Sequence, residues 1–265
     1  MGFLTGKTAI ITGAGRAVLK DGSCGSIGYG IATAYAKEGA NLVITGRNVK
    51  KLEAAKQELE SLYGIKVLTV QADVCAGGDN EATVANVVKQ AVDTFGGIQV
   101  LINNAQASAS GVPLAEHTTE QFDLAIYSGL YAAFYYMKAC YPYLAESHGS
   151  VINFASGAGL FGNFGQSAYA AAKEASAVCP ASPPPSGART ASTSTWSARW
   201  HGRPSSSSSG TLPRRFQGQR QDAPMGHYGN AETEIGRVCV QLAMPDFKYM
   251  SGETLTLEGG MGQRP

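Results

Sequence analysis

A short apolar strand, a glycine-rich loop and a helix follow one another near the start of the chain, and this order constrains the fold most strongly. The run KTAIITGAG is predicted to be a buried strand, and GSIGYGIATAYAKEG to begin an amphipathic helix. Glycines let a backbone approach a pyrophosphate closely, and a helix N-terminus offers free N–H groups and a positive dipole end. The segment therefore predicts a dinucleotide-binding site.

Similar apolar runs recur along the chain and alternate with helical segments. Strands are predicted near residues 7–12, 41–45, 66–71, 98–103, 149–154 and 252–257, the last of them closing a sheet edge. Gly39, Gly64 and Gly96 each fall where a helix should end. In 265 residues of which 44% are hydrophobic, this alternation predicts one α/β domain over residues 1–265, built on a Rossmann-type, doubly wound parallel sheet.

Polar side chains follow three of these strands. Arg47 ends the second, where an arginine accommodates a ribose 2′-phosphate, so we expect NADP rather than NAD. Asp73 ends the third and is placed to meet an adenine edge, and Asn103 and Asn104 end the fourth. A solvated arginine in a turn, and asparagines that tie two loops together, are the alternative interpretations.

The run SAYAAAKE carries Tyr169 and Lys173, four residues apart, with Ser156 thirteen residues before the tyrosine. On a helix, residues four apart share one face, and an ammonium beside a phenol favours the phenolate. Ser156 ends the apolar run SVINFASG, which would place its hydroxyl at the carboxyl edge of a buried strand, facing that helix. The two hydroxyls could hold one substrate oxygen, so the sequence predicts proton transfer in carbonyl chemistry.

Together these motifs resemble the short-chain dehydrogenase/reductase family over about residues 5–175 and 224–265. The resemblance implies a nicotinamide cofactor and hydride transfer between its C4 carbon and a carbinol or carbonyl carbon. It makes Tyr169 the acid/base, Ser156 the group that orients the substrate oxygen, and Lys173 the ligand of the nicotinamide ribose. The cofactor-binding residues that it implies are Gly13, Ser26, Ile27, Gly28, Arg47, Asp73, Val74, Asn104, Ala105, Tyr169 and Lys173.

Within this family the chain is most similar to the bacterial 12α-hydroxysteroid dehydrogenases that act on bile acids. The similar stretches include INNAQASASG, INFASGAGLFGN and SGETLTLEGGMG. This implies a small-molecule steroid substrate, with Gln106 and Phe161 as its contacts, and a homodimer or homotetramer. An aromatic cluster on a predicted helix could add an apolar pocket wall, although such a stripe also fits a core or a subunit interface: Tyr127, Tyr131, Phe134, Tyr135 and Tyr136.

Three departures from the family pattern affect the site. The glycine loop carries about nine extra residues, roughly 16–24, and Ser26 replaces its central glycine. Gln106 follows the NNA motif where the family has glycine. The helix asparagine that completes a proton relay in the family aligns with Ser128 or Gly129, so a relay here would run through a serine or a water, or be weaker.

Residues 176–222 differ in composition from the rest of the chain. They contain no isoleucine, Val178 and Leu212 as their branched aliphatic residues, and Asp222 as their one acidic residue. Such a composition is typical of a disordered linker. The resembled family, however, places the end of the catalytic helix, a central strand and the substrate loop in this stretch. If the protein carries the printed residues, we expect a missing strand, poor packing and little activity.

Reverse translation offers an explanation for this tract. When the last base of each codon is joined to the first two of the next, residues 177–200 can be reread as RGLSRVAATEWGPDGINVNVVCPL and 201–209 as AWTAQLEQF. The reread text supplies a helix end, an apolar strand and the start of a loop. We infer a one-base frameshift near residue 175, compensated before Pro224, so the printed residues 176–222 are an unreliable guide to the fold.

Charge and composition exclude several classes of function. A net charge of +1 gives no electrostatic reason to expect a nucleic-acid partner. No apolar segment reaches about 18 residues and no leader pattern precedes the first strand, so we expect a cytoplasmic protein without a membrane span. The five cysteines show no paired spacing, which predicts free thiols, and the four scattered histidines predict no metal site.

The leading interpretation is an NADP-dependent dehydrogenase for a secondary steroid alcohol, with NAD as a possible cofactor. One rival is a reductase of 3-oxoacyl or enoyl thioesters, suggested by the serine-containing glycine loop. The short spacing of Ser156 and Tyr169 argues against the enoyl version. The other rival is a non-catalytic cofactor-binding or interaction protein.

Overall fold

The computed structural model describes residues 2–75, 78–178, 189–195 and 223–260, with the backbone alone for Phe161, for residues 177–178 and for 189–195. Its strands form one parallel, seven-stranded sheet in the order β3-β2-β1-β4-β5-β6-β7. The strands are β1 Thr8–Thr12, β2 Asn41–Gly46, β3 Val67–Gln71, β4 Val100–Asn103, β5 Ser150–Ala155, β6 Arg189–Thr195 and β7 Glu253–Leu257.

Helices connect the strands. They are α1 Ile27–Lys37, α2 Val49–Tyr63, α3 Asn80–Phe95, α4 Thr119–Ala125, α5 Ala132–Glu146, α6 Gly157–Phe161, α7 Ser167–Val178 and α8 Arg237–Leu242. Two π-helical turns, Ile126–Tyr131 and Ala231–Gly236, precede α5 and α8, and 3₁₀ turns lie at Leu114–Glu116 and Pro245–Phe247. Within the described residues, no helix is both long and apolar enough to cross a membrane.

Strands β1, β2, β4 and β5 are buried on both faces, which explains why they are largely apolar runs. Ile10 and Val43 point to one side, where they pack with residues of α3 and α5. Ile11 and Ile44, their neighbours in sequence, point to the other side, where α1 and α2 pack. Because alternate residues of a strand face opposite ways, one short strand serves both layers. The predicted doubly wound α/β fold is confirmed.

Six strands lie within two residues of their predicted bounds, and β7 forms a sheet edge as expected. Gly64 and Gly96 cap α2 and α3 in the left-handed conformation, and Gly39 follows the cap of α1. The expectation of a missing strand is wrong, because β6 pairs with β5 and with β7. Parallel pairing uses backbone groups, so the gap between β5 and β7 can be filled without an apolar sequence.

Candidate active site

A cleft opens at the carboxyl ends of β1 and β4, where the strand order reverses. In open α/β sheets such a switch point is where ligands bind. The cleft collects residues from motifs that are far apart in sequence, including Thr12, Gly13, Arg47, Asp73, Val74, Asn104, Ala105, Gln106, Ser128, Gly129 and Lys173. Among the described residues, no group of three or more His, Cys, Asp or Glu is placed to hold a metal.

The glycine turn brings α1 against the ends of β1 and β4. Gly13 has a φ of +72°, and its N–H donates to the carbonyl of Thr45 at 2.8 Å. A Cβ at Gly28 would lie 2.4 Å from the Gly13 oxygen and 2.7 Å from Asn104 Nδ2. No side chain fits there, so a glycine is required at residue 28. Ser26 and Ile27 begin the helix beside this contact, and the Ser26 hydroxyl makes no capping hydrogen bond.

The extra residues of the glycine loop form a small closed hairpin. Val18 and Cys24 make an antiparallel bridge, and the N–H of Gly25 donates to the carbonyl of Ala17 at 2.7 Å. The Arg16 guanidinium pairs with Glu58 of α2. Tyr29 of α1 donates to the same carboxylate at 2.7 Å. The insertion is therefore fixed to α1 and α2, and the contact between Gly13 and Gly28 remains intact.

Arg47, Asp73 and Cys75 form the rim of the cleft beyond β2 and β3. Arg47 is exposed, and its Nη1 lies 3.8 Å from the sulfur of Cys75. Asp73 Oδ1 accepts from the N–H of Cys75 at 3.1 Å. Burial, together with the nearby Asp73 carboxylate, raises the pKa of Cys75 to about 11. The thiol is thus neutral at physiological pH, and the guanidinium is the one cationic group of this rim among the described residues.

The two asparagines after β4 have structural partners. Thr12 Oγ1 accepts from the N–H groups of Asn104 and Ala105, each at 2.9 Å, and Asn104 Nδ2 donates to the Thr12 carbonyl at 2.8 Å. Asn103 Nδ2 donates to Asn153 Oδ1 at 2.9 Å. Asn104 therefore ties the segment after β4 to the end of β1, Asn103 ties β4 to β5, and both asparagines also line the cleft.

Asn153 is a residue that the sequence analysis missed. It is 1% exposed, and its Nδ2 lies 3.4 Å from the carbonyl of Ser176 on α7. A polar chain thus runs from Asn103 on β4, through β5, to the helix that carries Tyr169. The available signal was a buried-strand run, SVINFASG, interrupted by an amide, because such a group must find partners inside the protein.

Ser156, Tyr169 and Lys173 lie on the adjoining elements β5, α6 and α7. Lys173 is 6% exposed, and its Nζ donates to the carbonyl of Phe154 at 2.5 Å. The same Nζ lies 5.9 Å from the centre of the Tyr169 ring. Ser156 Oγ caps α6 by accepting from the N–H of Ala158 at 3.2 Å, which leaves its own O–H free to donate.

The cleft itself includes Lys173 but neither Ser156 nor Tyr169. Both are half-buried on adjoining elements. Ser26, Ile27 and Gly28 also lie outside its lining, at the start of α1. Phe161 is the last residue of α6, and its side chain is outside the described set.

Ser128 is held by other groups and is not poised for a relay. It is 2% exposed, and its Oγ accepts from the N–H of Ala107 at 2.9 Å. The hydroxyl also lies 2.6 Å from the carbonyl of Leu124, to which it can donate. Its proton and one lone pair are therefore engaged in fastening the loop after β4 to α4.

The aromatic cluster divides into two parts. Tyr136 is 2% exposed and lines the cleft. The rings of Tyr127 and Tyr131 stack at 5.0 Å, and Tyr135 continues the row 6.0 Å from Tyr131. Phe134 joins that partly exposed row. Apart from Tyr136, the cluster does not form the pocket wall considered from the sequence.

Four of the five cysteines are described, and all four are free, as expected: Cys24, Cys75, Cys140 and Cys239. The fifth, Cys179, lies outside the described residues.

Comparison with known proteins gives concordant similarities. Residues 22–262 match the family model adh_short_C2, described as enoyl-(acyl carrier protein) reductase. The chain is 54% identical to a 12alpha-hydroxysteroid dehydrogenase of Clostridium sp., covering 100% of both sequences. It is 27% identical to a 3-oxoacyl-[acyl-carrier-protein] reductase of Thermotoga maritima, over 97% of this chain and 98% of the relative. The crystal structure of a short chain dehydrogenase from Mycobacterium smegmatis shares the fold, with a TM-score of 0.77 at 24% identity, covering 100% of this chain and 95% of that one.

Proposed function

Because the chain belongs to the short-chain dehydrogenase/reductase family, and is thus an oxidoreductase that uses a nicotinamide cofactor, we propose that it interconverts a secondary steroid alcohol and the ketone with NADP. The proposed position is the 12α-hydroxyl of a bile acid. The observation that carries this proposal is the 54% identity to a 12alpha-hydroxysteroid dehydrogenase along the full length of both chains.

The residues at the switch point fit a dinucleotide. With no side chain at Gly13 or Gly28, a pyrophosphate could approach the backbone at the start of α1, and the first turn of that helix carries no acidic residue. Asp73 and Val74 would hold the adenine, and Asn104 and Ala105 the ribose side of the nicotinamide. A bound nicotinamide accepts or supplies a hydride at its C4 carbon.

Arg47 supports NADP as the cofactor. The guanidinium is exposed at the end of β2, where its nearest described partner is the neutral thiol of Cys75. The other arginine of this region, Arg16, is already paired with Glu58. A 2′-phosphate would therefore bind an Arg47 guanidinium whose positive charge is not already paired with a carboxylate.

In the proposed oxidation, three side chains act on the substrate oxygen. Tyr169 takes the hydroxyl proton as the hydride leaves the carbinol carbon, and the free O–H of Ser156 orients that oxygen. The buried ammonium of Lys173 lies 5.9 Å from the centre of the phenol ring of Tyr169. Gln106 and Phe161 remain the predicted substrate contacts, and cytoplasmic location and homo-oligomeric assembly also remain predictions.

A thioester reductase is the second candidate. The description of the matched family model and the 27% identity to a 3-oxoacyl reductase favour it. The two candidates differ in substrate while sharing Tyr169 as the proton donor. Reduction of acetoacetyl-CoA by NADPH, at a rate exceeding oxidation of cholate by NADP, would favour the second candidate over the first.

The proposed chemistry is tested by Tyr169→Phe. We expect the variant to lose at least about a hundredfold in the rate of NADP reduction with cholate, because general acid–base catalysis is removed. Its Kd for NADP should stay within about twofold, since the ring remains. Tyr131→Phe, a change in the partly exposed aromatic row, is the control and should keep wild-type turnover. A Tyr169→Phe enzyme with wild-type turnover would refute the assignment, and a wild type that binds NADP yet oxidises nothing would support a non-catalytic protein.

A further inference from the structure

The carboxamide of Gln106 is buried in the cleft with unsatisfied polar atoms. Neither Oε1 nor Nε2 has a hydrogen-bond partner among the described residues, although both atoms are buried. Buried amides are normally paired, because leaving a donor or acceptor without a partner costs free energy. A group placed in this way at the wall of a binding cleft is therefore set to bind something that can both donate and accept.

Gly129 holds this amide in place by having no side chain. A Cβ built at Gly129 would lie 2.8 Å from Gln106 Cδ, 2.9 Å from Nε2 and 3.1 Å from the Cβ of Ala172. Gly129 does not have a positive φ, so its backbone conformation does not demand glycine. Glycine is required because there is no room for a side chain at this residue. The amide occupies the volume that a side chain at residue 129 would take, and Ala172 of α7, the residue that precedes Lys173, borders the same volume.

The position of the Gln106 amide bears on catalysis because Lys173 lines the same cleft. The lysine ammonium is buried and stands beside Tyr169. Each alcohol that is oxidised releases one hydride and one proton. A bound nicotinamide would take up the hydride, whereas the proton taken by Tyr169 must reach solvent before the next turnover. The neighbouring hydroxyl of Ser128 is already engaged by Ala107 and Leu124.

We propose that Gln106 is a positioning residue of the proton path, whose carboxamide holds a water beside Lys173 through which that proton reaches solvent. An amide can donate to such a water with Nε2 and accept from it with Oε1. The water passes the proton, and the amide fixes its position. The inference rests on the proposed dehydrogenase chemistry of Tyr169, and it does not depend on which alcohol is the substrate.

Replacement of Gln106 by methionine tests the role, because methionine keeps the shape and removes both polar atoms. We expect kcat for alcohol oxidation to fall at least about tenfold, KM for the alcohol to stay within about twofold, and the solvent deuterium isotope effect on kcat to rise. Added imidazole should restore part of the rate, because it carries protons in place of the water. Tyr131→Phe, on the partly exposed aromatic row, is the control and should leave the isotope effect at its wild-type value. An unchanged kcat, or a raised KM with unchanged kcat, overturns the proposal, the latter in favour of a substrate contact.

A second variant moves the amide to the facing helix. Gln106→Gly should lose activity as Gln106→Met does, and the double variant Gln106→Gly/Gly129→Asn should recover at least half of the lost kcat, since the carboxamide returns to the same space from the other side. Failure of this recovery in a folded protein contradicts the proposal.

Thermal unfolding tests the packing without any turnover. Gly129→Ala should lower the Tm of the wild-type protein, which has Gln106. It should lower the Tm of the Gln106→Gly variant by less. Equal losses would show that the amide does not occupy this space. If cholate is not oxidised but a 3-oxoacyl thioester is reduced, the same variants are compared on that reaction. That result would refute the steroid assignment, and the kinetics of the Gln106 variants on the thioester would still test the role of Gln106.

Discussion

Gly28 and Asn104 meet at the point where α1 starts against the ends of β1 and β4. A single added carbon at Gly28 would overlap the Gly13 carbonyl, and the Asn104 amide is already bonded to Thr12. These residues fix the backbone around the proposed cofactor cleft, whereas Arg47, Asp73 and Cys75 form its rim. Tests at the residue scale therefore belong at the rim, where a change alters recognition and leaves the fold intact.

Arg47→Asp is predicted to reverse the cofactor preference. KM for NADP should rise at least about tenfold, since an acidic side chain repels the 2′-phosphate, and KM for NAD should fall because a carboxylate can bind the ribose 2′-hydroxyl. Steady-state kinetics with each cofactor measure this ratio. Arg16→Ala is the control and should change both KM values by a similar factor, because Arg16 is paired with Glu58. An unaltered ratio in Arg47→Asp would show that this arginine does not read the 2′-phosphate.

Cys75 is predicted to react slowly with alkylating reagents. With a pKa raised to about 11, its reactive thiolate is about a thousandth of the total at pH 8, and the rate should rise about tenfold per pH unit up to that pKa. NADP should protect Cys75, which lines the cleft, but not Cys24, which does not. Timed iodoacetamide labelling with peptide mass spectrometry measures both. Rapid labelling at pH 8 that NADP leaves unchanged would contradict the predicted site.

At the scale of elements, six strands and the main helices could be predicted because apolar runs and glycine caps are local signals. The surroundings of Asn153, Ser128 and Gln106 could not, because each depends on which segment the fold brings beside it. β6 is a different case. Its sequence, RTASTST, has no valine, isoleucine or leucine, although it pairs between β5 and β7, where parallel strands are normally rich in such residues.

The composition of β6 is consistent with the proposed frameshift. We predict that tryptic peptides of the natural protein from residues 176–222 will disagree in mass with the printed sequence and agree with GINVNVV at residues 191–197. The reread strand has the apolar character that a central parallel strand requires. Peptides from residues 100–150 serve as the internal control and should match as printed. Masses that match the printed tract, in a stable and active enzyme, would refute the frameshift.

At the scale of the whole molecule, the fold places the proposed cofactor cleft at the carboxyl ends of β1 and β4, and the aromatic row on the surface of α5 and the preceding turn. That row is exposed by 36% at Tyr127, 41% at Tyr131 and 44% at Phe134. Stacked aromatic side chains of this exposure are typical of interface cores. The fold and the class of reaction can thus be predicted from sequence motifs. The identity of the substrate cannot, because it depends on the shape of a pocket that the motifs do not describe.

Homo-oligomeric assembly is predicted from the family resemblance and from this aromatic row. Light scattering during size-exclusion chromatography should give two or four times the chain mass of 27.6 kDa. Tyr131→Glu should shift the protein toward the monomer, because a buried unpaired charge opposes association. Gln57→Glu, which adds the same single negative charge at an exposed residue of α2, should not. A wild-type monomer at micromolar concentration would exclude the prediction.

The central claim, oxidation of a 12α-hydroxyl with NADP, is tested most directly with two bile acids that differ by that group. The purified protein is incubated with NADP and either cholate or chenodeoxycholate, and NADPH formation is followed by absorbance. We predict NADPH with cholate, which carries the 12α-hydroxyl, and none with chenodeoxycholate, which lacks it. NADPH formation with both bile acids, or with neither, would contradict the assignment.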